Sequence, residues 1–335
     1  MYKVGIVGAT GVVGRTILRV LEERAFPVAE MKLFASGRSE GTRLSFRGEE
    51  ITVLETRRDN LRDMELVFFA AGTDISSELA PVAVENGAIV VDKSNAFRMD
   101  PEVPLVVPEV NEEALAGHRG LIASPNCSTI QLVVALAPLS RAAGLRTVIV
   151  STYQSVSGAG ADALSELEEE SRASLQGRSY AREVFAHPIA FNLIPAIDSF
   201  DELGFTAEEM KLVRETRKIL SDPTLAITAT AVRVPVRVGH SEAVTVELEN
   251  PLTPEEARRI LAQAPGVVVA DDPAGDVYPV PVAVQGRDEV YVGRIREGLI
   301  GERWLNLWVV ADNLRKGAAT NAVQIAEALV RRGEM

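Results

Sequence analysis

One junction near the amino terminus limits the folds open to this chain more than any other feature. Lys3-Val4-Gly5-Ile6-Val7 is a short apolar run of the kind found in parallel strands buried on both faces. Gly8-Ala9-Thr10-Gly11-Val12-Val13-Gly14 follows without a gap, and residues 15–23 place Ile17, Leu18 and Leu21 on one helical face. Strand, glycine turn and helix in that order build doubly wound α/β sheets and form the context in which a dinucleotide is held. Gly8 permits the tight turn, Gly11 lets backbone approach a pyrophosphate, and Gly14 lets the helix pack on the strand. The helix N-terminus offers unpaired N–H groups to the negative charge. The spacing is GxxGxxG rather than GxGxxG, so alone it also fits an ordinary glycine-rich βα turn; its place directly after a buried strand favours the dinucleotide site.

The next strand, 31–35, runs into Ser36-Gly37-Arg38-Ser39. An NAD-selective site carries an acid there for the ribose 2′-hydroxyl, whereas an arginine and two hydroxyls suit a 2′-phosphate. NADP is therefore the expected cofactor, although Arg38 also reads as a solvated loop charge. Two further buried strands are expected at 66–70 and 88–92, with a helix at 75–85 stopped by Asn86-Gly87. Ala71-Gly72-Thr73 lies at a strand's carboxyl end, where cofactors bind in such sheets. The strand ending at Asp92 feeds Lys93-Ser94-Asn95-Ala96-Phe97-Arg98, which puts Arg98 on a loop near the same edge. Arg98 can bind an anion there or pair with Asp92 or Asp100, and its position does not choose between them.

Leu121-Ile122-Ala123 is the last strand of this region, and Ser124-Pro125-Asn126-Cys127-Ser128-Thr129 follows it. Cys127 is the only cysteine. Residues 130–137 read as a buried helix that Pro138 stops. A helix beginning near Cys127 points unpaired N–H groups at the sulfur, and with the helix dipole they favour thiolate over thiol. Such a thiolate is an acyl-transfer nucleophile, though most lone cysteines are only small buried hydrophobes.

Composition narrows the classes further. A length of 335 residues fits two domains with ample core. A formal net charge of −12 argues against a nucleic-acid-binding surface. One cysteine leaves no disulfide within the chain and no cysteine-based zinc site, and no metal site is assigned. No signal peptide is expected, because the first residues read directly as a strand, and no apolar run reaches the roughly 20 residues of a membrane span. A reducing cytoplasm is the expected location.

From Thr147 the texture changes. Residues 148–156 form a strand, Ser157-Gly158-Ala159-Gly160 a tight loop, and 161–175 a long acidic helix whose Glu166, Glu168, Glu169 and Glu170 read as a solvated face. Gln154 is either a substrate-orienting amide or a paired amide within its strand. Thr206 and Glu209 form a capping box that starts a helix running to about residue 220 and gives Glu209 a structural job. Glu208 and Lys211 share a neighbouring face, as a surface ion pair or as one acid and one ammonium for a zwitterionic, phosphorylated ligand. Residues 228–238 alternate strictly, valines on one face and Arg233 with Arg237 on the other. The chain turns at Gly239-His240-Ser241 into another alternating strand, 243–249, with Val244, Val246 and Leu248 inward. These patterns predict a largely antiparallel sheet covered by the helices at 161–175 and 206–220. His240, after a glycine turn where an imidazole can be exposed and mobile, is the best general acid/base candidate among the three histidines. Residues 304–313 make a last strand ending in a polar corner, and a helix at 318–331 is expected to return to the first domain. The expected division is 1–126 with 313–335 as the dinucleotide-binding domain and 127–312 as the second.

Taken together, these motifs resemble the aspartate-β-semialdehyde dehydrogenase family over essentially the whole chain. The similarity is carried by the glycine turn at 8–14, Ser94-Asn95-Ala96-Phe97-Arg98, Ser124-Pro125-Asn126-Cys127-Ser128-Thr129 and Tyr153-Gln154-Ser155-Val156-Ser157-Gly158-Ala159-Gly160. Glu208 with Lys211, and Arg233 with His240, extend it. The likeness is strongest to the bacterial branch that includes Gram-positive enzymes. It implies a Rossmann-like NADP-binding domain followed by an α+β catalytic and dimerisation domain. It further implies NADPH-dependent conversion of L-4-aspartyl phosphate to L-aspartate 4-semialdehyde and phosphate, on the route to lysine, diaminopimelate, methionine and threonine.

By this resemblance Cys127 is the nucleophile, His240 the acid/base and Gln154 the residue that orients the acyl intermediate. Arg98, Asn126 and Lys211 hold phosphate, Glu208 binds the substrate amino group and Arg233 its α-carboxylate. Gly8, Thr10, Gly11, Val12, Val13, Arg38, Ser39, Ser157, Gly158 and Asn313 line the NADP site. A homodimer or a dimer of dimers is implied. The nearest rival is N-acetyl-γ-glutamyl-phosphate reductase, whose cysteine motif carries glycine where this chain has Asn126, and whose acetylated substrate suits Glu208 less well than a free amine. A non-catalytic NADP-binding redox sensor is the rival of a different class, disfavoured by Gln154, Arg98, Lys211, Arg233 and His240 together.

Overall fold

The computed structural model describes residues 1–335. In chain order the first elements are β1 (Tyr2–Val7), α1 (Val12–Glu23), β2 (Val28–Ala35), β3 (Arg43–Phe46), β4 (Glu49–Glu55), β5 (Leu66–Phe69), α2 (Thr73–Glu85), β6 (Ile89–Asp92), α3 (Pro108–Asn111) and β7 (Leu121–Ala123). There follow α4 (Cys127–Ala143), β8 (Leu145–Gln154), α5 (Ala161–Leu175), α6 (Ala207–Ile219), β9 (Ala226–Arg233), β10 (His240–Leu248) and α7 (Pro254–Ala262). The last are β11 (Val267–Val269), α8 (Pro281–Val284), β12 (Val290–Glu297), β13 (Trp304–Ala311) and α9 (Thr320–Arg332). Two compact units result: Met1–Asn126 with Ala318–Met335, and Cys127–Gly317. The second crossing lies five residues beyond the expected 312/313 step. Residues 313–317 stay with the second unit because Gly317 N–H donates to the Asp312 carbonyl and the Asn313 amide is bonded within that unit.

The first unit is a seven-stranded sheet in the order β3-β4-β2-β1-β5-β6-β7. All its pairings are parallel except the β3–β4 hairpin at one edge. β1 lies in the middle, and the chain leaves it toward β2 on one side and later returns to β5 on the other, so its carboxyl end is a topological switch point. The expected apolar face of α1 is buried: Ile17, Leu18 and Leu21 join Val323, Ala326 and Leu329 of α9 in one core. The carboxyl-terminal helix therefore belongs to this unit. A π-helical turn, Arg315–Ala319, precedes it.

The second unit is built on a six-stranded sheet in the order β11-β12-β13-β10-β8-β9. β10 runs antiparallel to both β8 and β13, as β12 does to β13, but β8–β9 and β11–β12 are parallel. The sheet is mixed because the chain between β8 and β9 passes through α5 and α6, and so long a crossover can bring a strand back in the same direction. β9 ends at Arg233, short of the expected run to 238. Pro235 has no N–H for a ladder bond, and Arg237 instead reaches Glu168 at 2.9 Å. Helix α4 continues through Pro138 to Ala143, a correction to the stop expected there. Proline removes one helical donor, but Leu136, Ala137 and Leu139 around it are buried, and their packing holds the segment helical.

The acidic cluster on α5 also departs from expectation. Glu166 and Glu170 are buried. The Glu166 carboxylate accepts N–H bonds from Glu183 and Val184 at 2.7 Å and from Phe185 at 3.1 Å, and Glu170 accepts from Ile189 and Ala190 at 2.8 and 2.9 Å. Burial pushes the Glu166 pKa up, but the three N–H donors and the Arg182 charge outweigh it and hold the carboxyl below the usual glutamate value. A depressed carboxyl pKa stabilises the fold above the unfolded value, and that contribution fades as pH falls through the folded one. Glu166→Gln should destabilise by about 1–3 kcal/mol at neutral pH, since hydrogen bonds to a charged acceptor are lost. The gap between wild type and variant should narrow as pH falls below the ordinary glutamate value of about 4.3, as thermal melts through the acid range would record.

Candidate active site

The glycine turn of the first unit is shaped for a close-approaching ligand. Gly8 has φ +84°, and a Cβ there would stand 2.6 Å from the Ala70 carbonyl oxygen. A Cβ at Gly14 would lie 2.2 Å from the Gly8 carbonyl oxygen, so α1 packs on the turn only without a side chain. Gly11 caps α1 and no side chain bonds to its first N–H groups, which leaves the helix N-terminus at Val12 and Val13 suited to a pyrophosphate. The turn after β2, Gly37–Ser39, is brought to this loop: the Thr10 hydroxyl donates to the Ser39 hydroxyl at 3.3 Å. No acid ends β2. These residues fit a nicotinamide dinucleotide.

Arg98, on the same unit, is buried and donates to two carbonyls, Nε to Ser124 at 3.1 Å and Nη2 to Lys93 at 2.8 Å. Asp92, one candidate partner from the sequence, is instead occupied by Ser94, which donates its hydroxyl at 2.7 Å and its N–H at 3.1 Å. Asn126, also buried, is the last residue before α4.

In the second unit one face of the sheet collects the remaining polar side chains. α4 begins at Cys127, as the sequence predicts, with the half-buried residue at the helix N-terminus, the positive end of the helix dipole. Gln154 on β8 pairs across to Arg233 on β9. On β10, His240 lies two residues before Glu242, whose cross-strand neighbour is Thr152, two residues before Gln154. With the two-residue period of strands, Thr152, Gln154 and Glu242 share a face with His240. Arg233 Nη1 donates to the Ser155 carbonyl at 2.8 Å. Burial pulls the Arg233 guanidinium below its ordinary value, and the Glu208 and Cys127 charges oppose that, so both acids act on it.

Glu208 and Lys211 are not a surface pair. Glu208 is buried, takes a bond from Gln154 Nε2 at 3.2 Å and pairs with Lys211 at 3.1 Å. Lys211 also pairs with Asp198 at 2.9 Å. Burial pulls the Lys211 ammonium down, but Glu208 and Asp198 outweigh it and hold its pKa above the ordinary value. Glu209 does the structural work expected of it, accepting from Thr206 N–H at 2.7 Å and from Ala231 N–H at 2.9 Å.

His240 corrects the expectation of an exposed, mobile imidazole. It is fully buried and is the first residue of β10. Nδ1 lies 3.0 Å from both the N–H and the hydroxyl of Ser155. The backbone N–H can only donate, so the neutral ring carries its proton on Nε2. Ser155 is held in turn by Asn313, whose Oδ1 accepts from the Ser155 hydroxyl at 3.0 Å, the Ser157 hydroxyl at 3.2 Å and Gly239 N–H at 2.9 Å. Space over the ring is kept by Gly158, where a Cβ would lie 3.3 Å from Nε2 and 3.0 Å from Arg233 Nη1. Gly317 does the same beside Cys127, a Cβ there falling 3.0 Å from that of the cysteine.

The structure thus gathers Cys127, Gln154, Glu208, Lys211, Arg233, His240, Ser157, Gly158 and Asn313 within the second unit. Gly8, Thr10, Gly11, Val12, Val13, Arg38, Ser39, Arg98 and Asn126 belong to the first. Sequence reasoning missed Asp198, Gly317 and the orienting part of Ser155. Ser155 sits inside the 153–160 motif and was within reach, but Asp198 lies in an irregular stretch with no periodicity to read.

Comparison with known proteins agrees with this geometry. The family model described as "Semialdehyde dehydrogenase, NAD binding domain" matches residues 3–118, and "Semialdehyde dehydrogenase, dimerisation domain" matches residues 136–316. An aspartate-semialdehyde dehydrogenase of Aquifex aeolicus is 53% identical over 99% of this chain and 99% of its own. The chain belongs to the aspartate-semialdehyde dehydrogenase family. The crystal structure of aspartate semialdehyde dehydrogenase II complexed with ASA, from Vibrio cholerae, superimposes with a TM-score of 0.96 at 47% identity, covering 99% of this chain and 98% of that one. The enzyme of Candida albicans, solved with NADP, gives a TM-score of 0.77 at 25% identity over the full length of both chains. Family membership makes this an oxidoreductase of aspartate-derived amino-acid biosynthesis with a dinucleotide-binding domain and a dimerisation domain. N-acetyl-γ-glutamyl-phosphate reductase is not favoured. No helix is long and apolar enough to cross a membrane.

Proposed function

We propose that this enzyme reduces L-4-aspartyl phosphate to L-aspartate 4-semialdehyde with release of phosphate, through a thioester on Cys127. The observation that carries this reading is the buried His240, oriented at Nδ1 by Ser155, on the unit whose nucleophile helix opens at Cys127. The Cys127 thiolate attacks the acyl carbon, the carbon–sulfur bond forms, and the carbon–oxygen bond to phosphate breaks. N–H groups at the start of α4 stabilise the oxyanion. NADPH supplies the hydride when bound. As the reduced adduct collapses, the carbonyl reforms and the carbon–sulfur bond breaks. The Nε2–H of His240 protonates the adduct oxygen and recovers that proton as the carbonyl reforms and Cys127 leaves as thiolate, and Gln154 orients the acyl group.

Arg98, Asn126 and Lys211 bind phosphate in this scheme, Glu208 the substrate ammonium and Arg233 its α-carboxylate. The salt-linked Glu208 and Lys211 present an acid and an ammonium side by side, which suits a zwitterion carrying a phosphate. NADP is the proposed cofactor, supported by Arg38 and Ser39 in the turn after β2 and by the NADP-bound relative. Gly8, Thr10, Gly11, Val12 and Val13, with Ser157, Gly158 and Asn313, complete its ligands. The cytoplasm, which keeps the lone cysteine reduced, is the proposed location. A homodimer or dimer of dimers is the proposed assembly. Phe191, Leu193, Phe200 and Leu203, all exposed on the dimerisation domain, are apolar surface for a second copy to cover.

The assay is reduction of NADP by aspartate semialdehyde, run with and without phosphate, beside the N-acetylated glutamate semialdehyde. Phosphate-dependent reduction with the aspartate substrate alone is expected, and the reverse preference would overturn the reading. Arg98→Leu should raise the KM for phosphate roughly 10-fold or more while changing the KM for NADP little, since a charge-assisted contact to one ligand is removed. An unchanged phosphate KM would take Arg98 out of the site.

A further inference from the structure

Beneath the proposed nucleophile and acid/base lies a second polar pair that the chemistry above does not use. Gln131 is four residues after Cys127 on α4, so the two stack on one helical face. Glu242 is two residues after His240 on β10 and faces the same way. The two elements are tied at this level: Gln131 Nε2 donates to the His240 carbonyl at 3.3 Å. Glu242 is entirely buried.

The surroundings of Glu242 do not suit a carboxylate. Its cross-strand neighbours are Thr152 on β8 and Val309 on β13, and Val244 follows it on the same face of β10. From α4 the Gln131 amide is the side chain that acts on it, and no lysine, arginine or second acid does so. Apart from the nearby Gln131 amide, neither carboxyl oxygen has a hydrogen-bond donor, and Gln131 Oε1 has none. These three atoms are acceptors while the carboxyl is ionised. One proton on Glu242 makes it a donor, and a single hydrogen bond from it to an acceptor such as Gln131 Oε1 would satisfy two of the three. Burial pushes the Glu242 pKa well above the usual glutamate value, with only the Gln131 amide opposing it.

We propose that Glu242 is a neutral carboxylic acid that, together with Gln131, locks the strand start bearing His240 against the helix bearing Cys127. It is a positioning residue: it touches neither substrate nor cofactor, and it rests on the roles assigned above to Cys127 and His240. An apolar site can keep a carboxylic acid neutral at pH 7, so that it serves as a hydrogen-bond donor. Uncharged Glu242 adds no field to the imidazole, so the acid/base limb of the rate profile belongs to His240.

Two measurements on the full-length enzyme test this. Infrared difference spectra of wild type against Glu242→Gln at neutral pH should show the carbonyl stretch of a protonated carboxylic acid, lost in the variant. Its absence from the wild type would overturn the proposal, whatever the activity, so this result stands apart from the reading of the active site. Kinetically, Glu242→Gln should keep the wild-type kcat and the wild-type pH profile of kcat/KM, because a neutral amide replaces a neutral acid. Glu242→Leu should lower kcat roughly 10- to 100-fold with little change in KM, as expected when reacting groups are displaced by a fraction of an ångström. A Glu242→Gln enzyme with an altered pH profile, or one as impaired as Glu242→Leu, would overturn it. Should Glu242→Leu fail to fold, the infrared band and the Glu242→Gln profile still decide.

Discussion

Cys127→Ala should abolish turnover and leave dinucleotide binding intact. In the proposed mechanism covalent catalysis runs through this sulfur, and the chain has no second cysteine to substitute for it. Loss of a nucleophile from a cooperating set costs on the order of 10⁴–10⁶ in kcat. The residues proposed to hold the dinucleotide, Gly8, Gly11 and the start of α1 among them, are unaltered by the substitution. Nor should it harm folding, because Cys127 is only half-buried and its side chain becomes smaller beside Gly317. Fluorescence titration with NADPH, beside the turnover assay, checks both halves. Substantial dehydrogenase activity in the variant would remove Cys127 from the mechanism.

The second large effect belongs to His240. His240→Gln should lower kcat about 10²–10⁴-fold, the usual worth of general acid–base help, with smaller changes in KM. The orienting bond from Ser155 gives this prediction its form. Nδ1 is an acceptor in the neutral ring, so the working proton is on Nε2, over which Gly158 leaves space. The pH profile of kcat should lose the limb that reports the imidazole. A profile of unchanged shape would show that another group carries the proton.

The parts of this account that depended on local backbone chemistry were legible before any coordinates. Gly8 and Gly14 marked the turn because no other residue fits their contacts with Ala70 and with each other. The Thr206–Glu209 capping box announced α6, and the apolar run after Cys127 announced α4. Where sequence reading went astray, the deciding partner was distant along the chain. His240 looked exposed after Gly239, yet Ser155, 85 residues away, seals and orients it through strand pairing. Glu166 and Glu170 looked solvated, yet they hold the backbone 17 to 20 residues further on. Pro138 looked like a stop, and dense packing on α4 overrode it. Arg98 gave no choice of partner, because the carbonyls it bonds come from two separate turns of chain.

The most direct test of the whole account is to look for the acyl-enzyme. Wild-type protein is mixed with aspartate semialdehyde and NADP in the absence of phosphate, quenched, and analysed by peptide mass spectrometry. An aspartyl adduct on the peptide containing Cys127, discharged by added phosphate, is the predicted result. Reduction of NADP with no adduct on that peptide, or an adduct on a different residue, would contradict it.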